Sequence, residues 1–283
     1  MKMSLSSRGT IILATLFCVS GCTRVQGQEG GKSDAAGSKA AVTTPRTGDG
    51  KPDLSGVWST GGRTRAEIDK NPFPSRTGGF TAWAVDRRIL RWGQRNKPMY
   101  RPEYWEKVRT LRSKVPKSDP AYSCKPQGVP RMGPPREILQ QGNRIVFLYS
   151  AGGVAIADPQ PYYRVIRVDR PHDQERVLDQ MWLGDGVGKW EGDTLVVDTI
   201  GFNDESWLTE EDGYFHSTKM HVVERLTRTG NSMKWEVTVE DPVLLQPWVW
   251  EPRTLTRNPD PDAMLREDPP CAEHDADSLF VGF

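Results

Sequence analysis

The sequence predicts a mainly β protein, an antiparallel meander that closes into a barrel or, as the alternative, folds into a β-sandwich. Three observations predict it. Between Glu137 and Glu240 successive segments alternate apolar and polar residues, the period of strands with one dry face and one wet face. Short glycine-containing turns, Gln141-Gly142-Asn143, Gly192-Asp193 and Gly230-Asn231, separate them at hairpin spacing. Ten tryptophans supply the large rings that a packed sheet or a ring-lined pocket uses. No repeat of fixed length appears, which disfavours a propeller.

The N-terminus is read first as an address. Lys2 and Arg8 form a positive n-region, and Ile11 to Val19 is a compact apolar run. A spanning helix needs about 20 apolar residues, so this run has the length of a signal-peptide core. Val19-Ser20-Gly21-Cys22 follows it and resembles a lipobox, with Cys22 as the lipid acceptor. Residues 1–22 are therefore expected to be a lipoprotein signal peptide ending at the lipobox cysteine. Thr23 follows, with no acidic residue to suggest inner-membrane retention. The expected place is extracytoplasmic and membrane-anchored, as an outer membrane lipoprotein facing the periplasm or the cell surface. Residues 23–50 are rich in Gly, Ser, Ala, Lys and Thr and read as a flexible tether. Residues 51–283 are long enough for a single β-rich domain.

That domain opens with Pro52-Asp53-Leu54-Ser55-Gly56-Val57-Trp58, a short first strand. Its Gly-x-Trp is similar to the opening of lipocalin-like barrels. From Thr81 to Arg112 the period changes: Ala82, Val85, Ile89, Leu90 and Trp92, then Tyr104, Trp105, Val108 and Leu111, recur at helical spacing. Two short helices joined at Lys97-Pro98 are expected before the sheet, with their aromatic side in the core or covering a sheet face. Cys124 to Pro135 is proline-rich and reads as an irregular connection. The strands come next. Glu137–Gln140 pairs with Arg144–Tyr149, Tyr163–Val168 alternates, and Gly188–Glu191 and Thr194–Thr199 flank Gly192-Asp193. Met220–Arg228 and Met233–Glu240 flank Gly230-Asn231. In the last strand Trp235, Val237 and Val239 share one face, which reads as the dry one.

Charge excludes one class of function. The formal net charge is +1 with both signs interspersed, so no basic stripe marks a nucleic-acid binder. Of the four cysteines, Cys18 leaves with the signal peptide and Cys22 takes lipid. Cys124 and Cys271 remain in an oxidising compartment, and a disulfide between them is expected to tie the tail to the domain.

Trp190-Glu191-Gly192-Asp193-Thr194-Leu195-Val196-Val197-Asp198-Thr199-Ile200-Gly201-Phe202-Asn203 resembles the central motif of a large bacterial family of secreted, largely uncharacterised proteins. Gly50 to Trp58, Cys124 to Arg131, His216-Ser217 and His221 to Arg225 carry the resemblance across nearly the whole mature domain. It implies export and brings no activity with it.

Candidate chemistry therefore rests on the residues. Asp198 interrupts an apolar strand, and Glu224 sits between Val222-Val223 and Leu226. A carboxylate beside apolar neighbours is a candidate general acid or base, with His216 or His221 as partner. Trp190, Asn203, Trp207 and Arg225 lie close in sequence and are candidate ligand-binding residues. Strand parity sets a limit: Glu224 shares a face with Val222 and Leu226, and His221 falls on the other. That argues against a His221–Glu224 dyad and against a metal site from His216, His221 and Glu224. His172 and His274 read as surface residues. The chain has no phosphate loop, no Gly-x-Ser-x-Gly, no His-Glu-x-x-His and no dinucleotide fingerprint, and no cofactor or metal is implied.

Two functions fit this pattern. One is a lipid-anchored extracytoplasmic protein that binds a small, partly apolar ligand in an aromatic-lined pocket, its partners being the membrane and that ligand. The other is a cofactor-independent lyase, isomerase or hydrolase that uses a carboxylate/histidine acid-base pair.

Overall fold

Strict two-residue alternation lets the strands of this chain share one interior. The structure, a computed structural model, describes residues 43–60, 97–114, 118–150, 162–209 and 213–265. In chain order the elements are β1 (Gly56–Ser59), α1 (Trp105–Ser113), β2 (Glu137–Gln141), β3 (Arg144–Tyr149), β4 (Tyr162–Val168) and α2 (Gln174–Leu178). They continue with β5 (Asp185–Glu191), β6 (Thr194–Ile200), β7 (His221–Thr229), β8 (Ser232–Glu240), β9 (Trp248–Val249) and β10 (Arg253–Arg257). Neighbours pair from β1 through β8, and β10 pairs with both β8 and β1. The result is a closed nine-stranded barrel, mainly β, with a short helix before it.

The hairpin turns fall where the glycines are. Glu191 pairs with Thr194 and Thr229 with Ser232, leaving Gly192-Asp193 and Gly230-Asn231 as two-residue loops. Gly192 and Gly230 both take φ +59°, a conformation that a side chain would strain.

One pairing departs from the antiparallel meander expected. β4 and β5 run parallel, with Arg167 opposite Val187 and Val168 opposite Gly188. A hairpin cannot join parallel neighbours. The connection from Asp169 to Gly184, which contains α2, carries the chain back instead. A second departure lies at the closing seam. β9 and β10 share one edge of β8, facing Thr238–Val239 and Ser232–Trp235 respectively. Pro252 falls between them and has no N–H to give the ladder.

The interior is packed with side chains. Trp58, Phe147, Trp235, Ile138, Ile145, Ile166, Leu195 and Leu226 are all fully buried. Each contributes on the order of 2 kcal/mol by leaving water. On β8 the inward set is Met233, Trp235, Val237 and Val239, as the alternation predicts. The Nε1–H of Trp58 donates to the Leu54 carbonyl (2.9 Å), satisfying the one polar group that its burial would strand.

α1 matches the second helix expected, but not its burial. Val108 and Leu111 pack on the core, whereas Trp105 is 57% exposed. The helix expected near 82–92 lies outside the described residues, as do the signal peptide with Cys22, most of the tether, and the tail with Cys271 and His274.

Candidate functional site

Inside the barrel, strand parity brings a carboxylate and a guanidinium together. β7 turns Val222, Glu224, Leu226 and Arg228 inward, and β4 turns Arg164, Ile166 and Val168 inward. Arg164 Nη1 donates to Glu224 Oε2 at 2.5 Å and to the Tyr149 hydroxyl at 3.1 Å, while Nη2 donates to Thr199 Oγ1 at 2.9 Å. The indole Nε1–H of Trp235 donates to Glu224 Oε1 at 3.1 Å. Both carboxylate oxygens are thus engaged, and Glu224 is fully buried. Burial, the largest influence, would lower the Arg164 guanidinium, but the Glu224 charge, Tyr149 and the hydrogen bonds to both together outweigh it and hold Arg164 above its ordinary value. Burial pushes the Tyr149 phenol up. Glu224 was expected to serve as an acid or base. In the structure it is one half of a buried internal ion pair, both of its oxygens already accepting hydrogen bonds.

Outside the barrel wall, the opposite parity assembles a second group. Asp198 lies between the inward-facing Val197 and Thr199, so it points outward and is 43% exposed. This corrects the expectation of a buried carboxylate. His221, on the outward face of β7, brings Nε2 to 3.1 Å from Asp198 Oδ1. His172 reaches the same oxygen from the other side, its Nε2 at 3.2 Å. The Nδ1 atoms of both rings face further carboxylates: Asp185 Oδ2 at 3.1 Å from His172, and Glu240 Oε2 at 3.4 Å from His221. Asp185, His172, Asp198, His221 and Glu240 therefore form one alternating chain of acids and imidazoles.

The connection before β5 holds that chain in place. Asp173 caps α2, its carboxylate accepting from the Glu175 amide at 3.1 Å. This fixes the turn that carries His172. Asp185 accepts from Arg167 Nη2 (2.8 and 3.0 Å), Arg176 Nε (2.9 Å) and the Asp173 amide (3.1 Å). Burial would raise its carboxyl, but the Asp173 amide, His172 and the two arginines hold it below the ordinary value. His172 was expected at the surface. It is a bridging residue with only 19% of its side chain exposed.

His216 goes elsewhere. Its Nδ1–H donates to the Ser217 carbonyl (3.2 Å), so Nε2 carries the lone pair and accepts from Ser206 Oγ (2.8 Å). Both side chains are buried, and burial holds His216 below the ordinary histidine value. Asp241 fixes the next residue, accepting from the Ser217 amide (2.7 Å) and hydroxyl (3.0 Å). The group ties the two ends of the β6–β7 loop to each other and to Asp241 after β8, and His216 meets neither Asp198 nor Glu224.

The four expected ligand-binding residues do not converge. Trp190 is half-buried against the core, and Trp207 is buried in the β6–β7 loop beside Phe215. Asn203 Oδ1 accepts from the Glu205 amide at 3.1 Å, closing a local turn. Arg225 pairs with Glu191 at 2.9 Å on the outer wall. An aromatic-lined space lies elsewhere, beside α1: a groove of about 450 Å³ whose lining includes Met99, Tyr100, Trp105, Val108, Tyr214 and Leu245, with Arg109 and Arg112. The Tyr100 and Tyr214 rings stack at 5.8 Å. The Tyr100 hydroxyl donates to the Phe215 carbonyl, and burial pushes its phenol up.

Sequence reasoning missed His172, Asp185, Glu240, Arg164 and this groove. Only Arg164 left a signal: it is the charged member of an otherwise apolar inward triplet with Ile166 and Val168. No protein-family model, no curated protein and no solved structure matches this chain.

Proposed function

We propose that this chain is an exported, lipid-anchored binding protein whose barrel is a rigid support and whose ligand site is the aromatic groove beside α1. The observation that carries the reading is the exposure of large apolar side chains around that groove. Met99 is 47%, Trp105 57% and Leu245 56% exposed, and such groupings mark binding surfaces. A ligand with a flat apolar body suits this mostly apolar and aromatic lining. Cys22 anchors the chain, residues 23–50 hold the domain off the membrane, and a Cys124–Cys271 disulfide secures the tail. Membership of the secreted family that the Trp190–Asn203 motif resembles belongs to the same reading.

The test is titration with 1-anilinonaphthalene-8-sulfonate, an apolar body with a sulfonate. Saturable binding that quenches tryptophan emission, and that weakens about tenfold or more in Trp105→Ala, supports the reading, since one ring in such a contact is worth about 1–2 kcal/mol. Equal binding by wild type and variant, or none by either, refutes it.

A second reading is favoured by one observation, the contact of Asp198 with two imidazoles. There the chain would be an acid–base enzyme using Asp198 with His172 or His221. Asp198→Asn would abolish turnover and leave binding of the probe untouched.

A further inference from the structure

A carboxylate faces each ring nitrogen of His172, and a neutral imidazole cannot satisfy both. We propose that the His172 bridge is a proton-operated latch. It fastens the connection before β5 to the barrel wall while the imidazole carries both protons, and releases it as pH rises past neutrality. This goes beyond the binding role of the groove, which lies at α1 and shares no residue with it.

Three observations carry it. The first is the hydrogen bonding of the ring. Nδ1 stands 3.1 Å from Asp185 Oδ2 and Nε2 stands 3.2 Å from Asp198 Oδ1. An ionised carboxylate only accepts, and a neutral imidazole has one N–H and one lone pair. With one proton on the ring, a lone pair would face a carboxylate oxygen. With two, both contacts are charge-assisted hydrogen bonds. The second is charge. Asp185 is matched by Arg167 Nη2 (2.8 Å) and Arg176 Nε (2.9 Å). Asp198 and Glu240 meet only His172 and His221 among the described residues. Two imidazolium rings balance those two carboxylates, whereas two neutral rings leave both charges unmatched. The third is placement. Backbone contacts hold the connection at both ends: the Asp169 amide donates to the Gly188 carbonyl (2.8 Å) and the Met181 amide to the Gly201 carbonyl (2.9 Å). Between them His172 reaches across to β6, with 19% of its side chain exposed.

The other charges on this face are engaged elsewhere or stand further along it. Arg225 of β7 pairs with Glu191 (2.9 Å), and Lys234 of β8 pairs with Glu236 (2.6 Å). Arg167 also comes to 4.0 Å from Asp173. Lys189 of β5 lies one row along, opposite Val196 rather than Asp198. Docking therefore takes up a proton, and the docked connection holds more protons than the open one. Its stability is present at low pH and is lost as pH rises. Histidine changes charge between about pH 5 and 8, which sets the window. Above that window Nδ1–H can still donate to Asp185, but the Nε2 lone pair and Asp198 repel, so the connection opens on its β6 side.

The experiment follows the full chain by imidazole ¹⁵N NMR and by amide exchange across 170–176, corrected for the intrinsic pH dependence of exchange. Wild type is expected to hold a proton on both His172 nitrogens at pH 6. Opening of 170–176 should rise about tenfold or more between pH 6 and pH 8, since one linked proton allows at most about tenfold per pH unit. Asp198→Asn should remove that dependence and keep the connection docked, because its amide can donate to the Nε2 lone pair and a neutral ring then suffices. His172→Ala should leave 170–176 open at both pH values. A neutral His172 ring at pH 6 overturns the proposal. So does pH-independent opening in wild type, or an undiminished pH dependence in Asp198→Asn. If a variant fails to fold, wild type alone decides: loss of the His172 proton and opening of 170–176 over the same pH range support the latch, and opening over a different range overturns it.

Discussion

Replacing Glu224 with glutamine leaves Arg164 charged inside the barrel with nothing to balance it. The amide keeps the shape of the carboxylate and can still accept from Trp235, so little packing is lost. What disappears is the charge, and with it the acceptor, 2.5 Å from a guanidinium whose side chain is 4% exposed, since the amide NH2 then faces the Arg164 N–H. Breaking one side of a buried pair costs about 3–5 kcal/mol, because the surviving ion stays desolvated. A domain of this size has a total stability of about 5–15 kcal/mol, so the loss is a large share of it. At about 2–4 °C per kcal/mol the melting temperature should fall by about 6–20 °C. The assay is urea and thermal unfolding of wild type, Glu224→Gln, Arg164→Met and the double variant. Because Arg164→Met also removes the unmatched charge, the double variant should recover most of what Glu224→Gln loses. A Glu224→Gln loss below about 1 kcal/mol, or additive losses in the double variant, would refute the claim that this pair is sealed from water.

Other outcomes follow from single contacts. Because burial lowers the His216 pKa, the unfolded chain binds its proton first; stability should be full above about pH 6.5 and fall as pH drops below it. Urea midpoints between pH 5 and 7.5 read this slope, and an equal slope in His216→Gln would count against the assignment. Gly128→Ala should destabilise by about 1–3 kcal/mol, since its Cβ would fall 2.2 Å from Ser206 Oγ at a φ of +75°; a neutral effect in a denaturant melt would contradict that packing. Alkylation of the unreduced, denatured mature chain should find Cys124 and Cys271 protected, and mass spectrometry reporting two modified thiols would dismiss their pairing.

How much of this was legible depends on whether the signal was local. β6 to β8 could be read because their period is two and their turns hold glycine at the loop, both properties of adjacent residues. The same parity correctly separated His221 from Glu224, which the structure puts on opposite sides of β7. The parallel β4–β5 pair left no such trace. It depends on where the Asp169–Gly184 connection delivers the chain, and nothing in either strand's own pattern records that.

The site failed to show for a related reason, which Asp198 illustrates. Thr194-Leu195-Val196-Val197-Asp198-Thr199-Ile200 has apolar residues on both faces, because its outer wall is partly covered by the connection carrying His172. Alternation assigns a face only where one side is wet, so Asp198 looked buried when it was the outward residue of a half-covered strand. His172 misled in the opposite sense. Arg170-Pro171-His172-Asp173 has the composition of a solvent loop, yet Asp185 gathers Arg167, Arg176, the Asp173 amide and His172 around one carboxylate and folds that loop onto the wall. A buried acid with that many donors is therefore the organising residue of the outer cluster. Asp185→Asn should loosen the loop and separate His172 from Asp198 without disturbing the Arg164–Glu224 pair inside. Amide exchange that quickens across 170–178 while β7 and β8 stay protected is the expected result. Uniform quickening would mean that the loop and barrel unfold as one, and that the cluster has no separate existence.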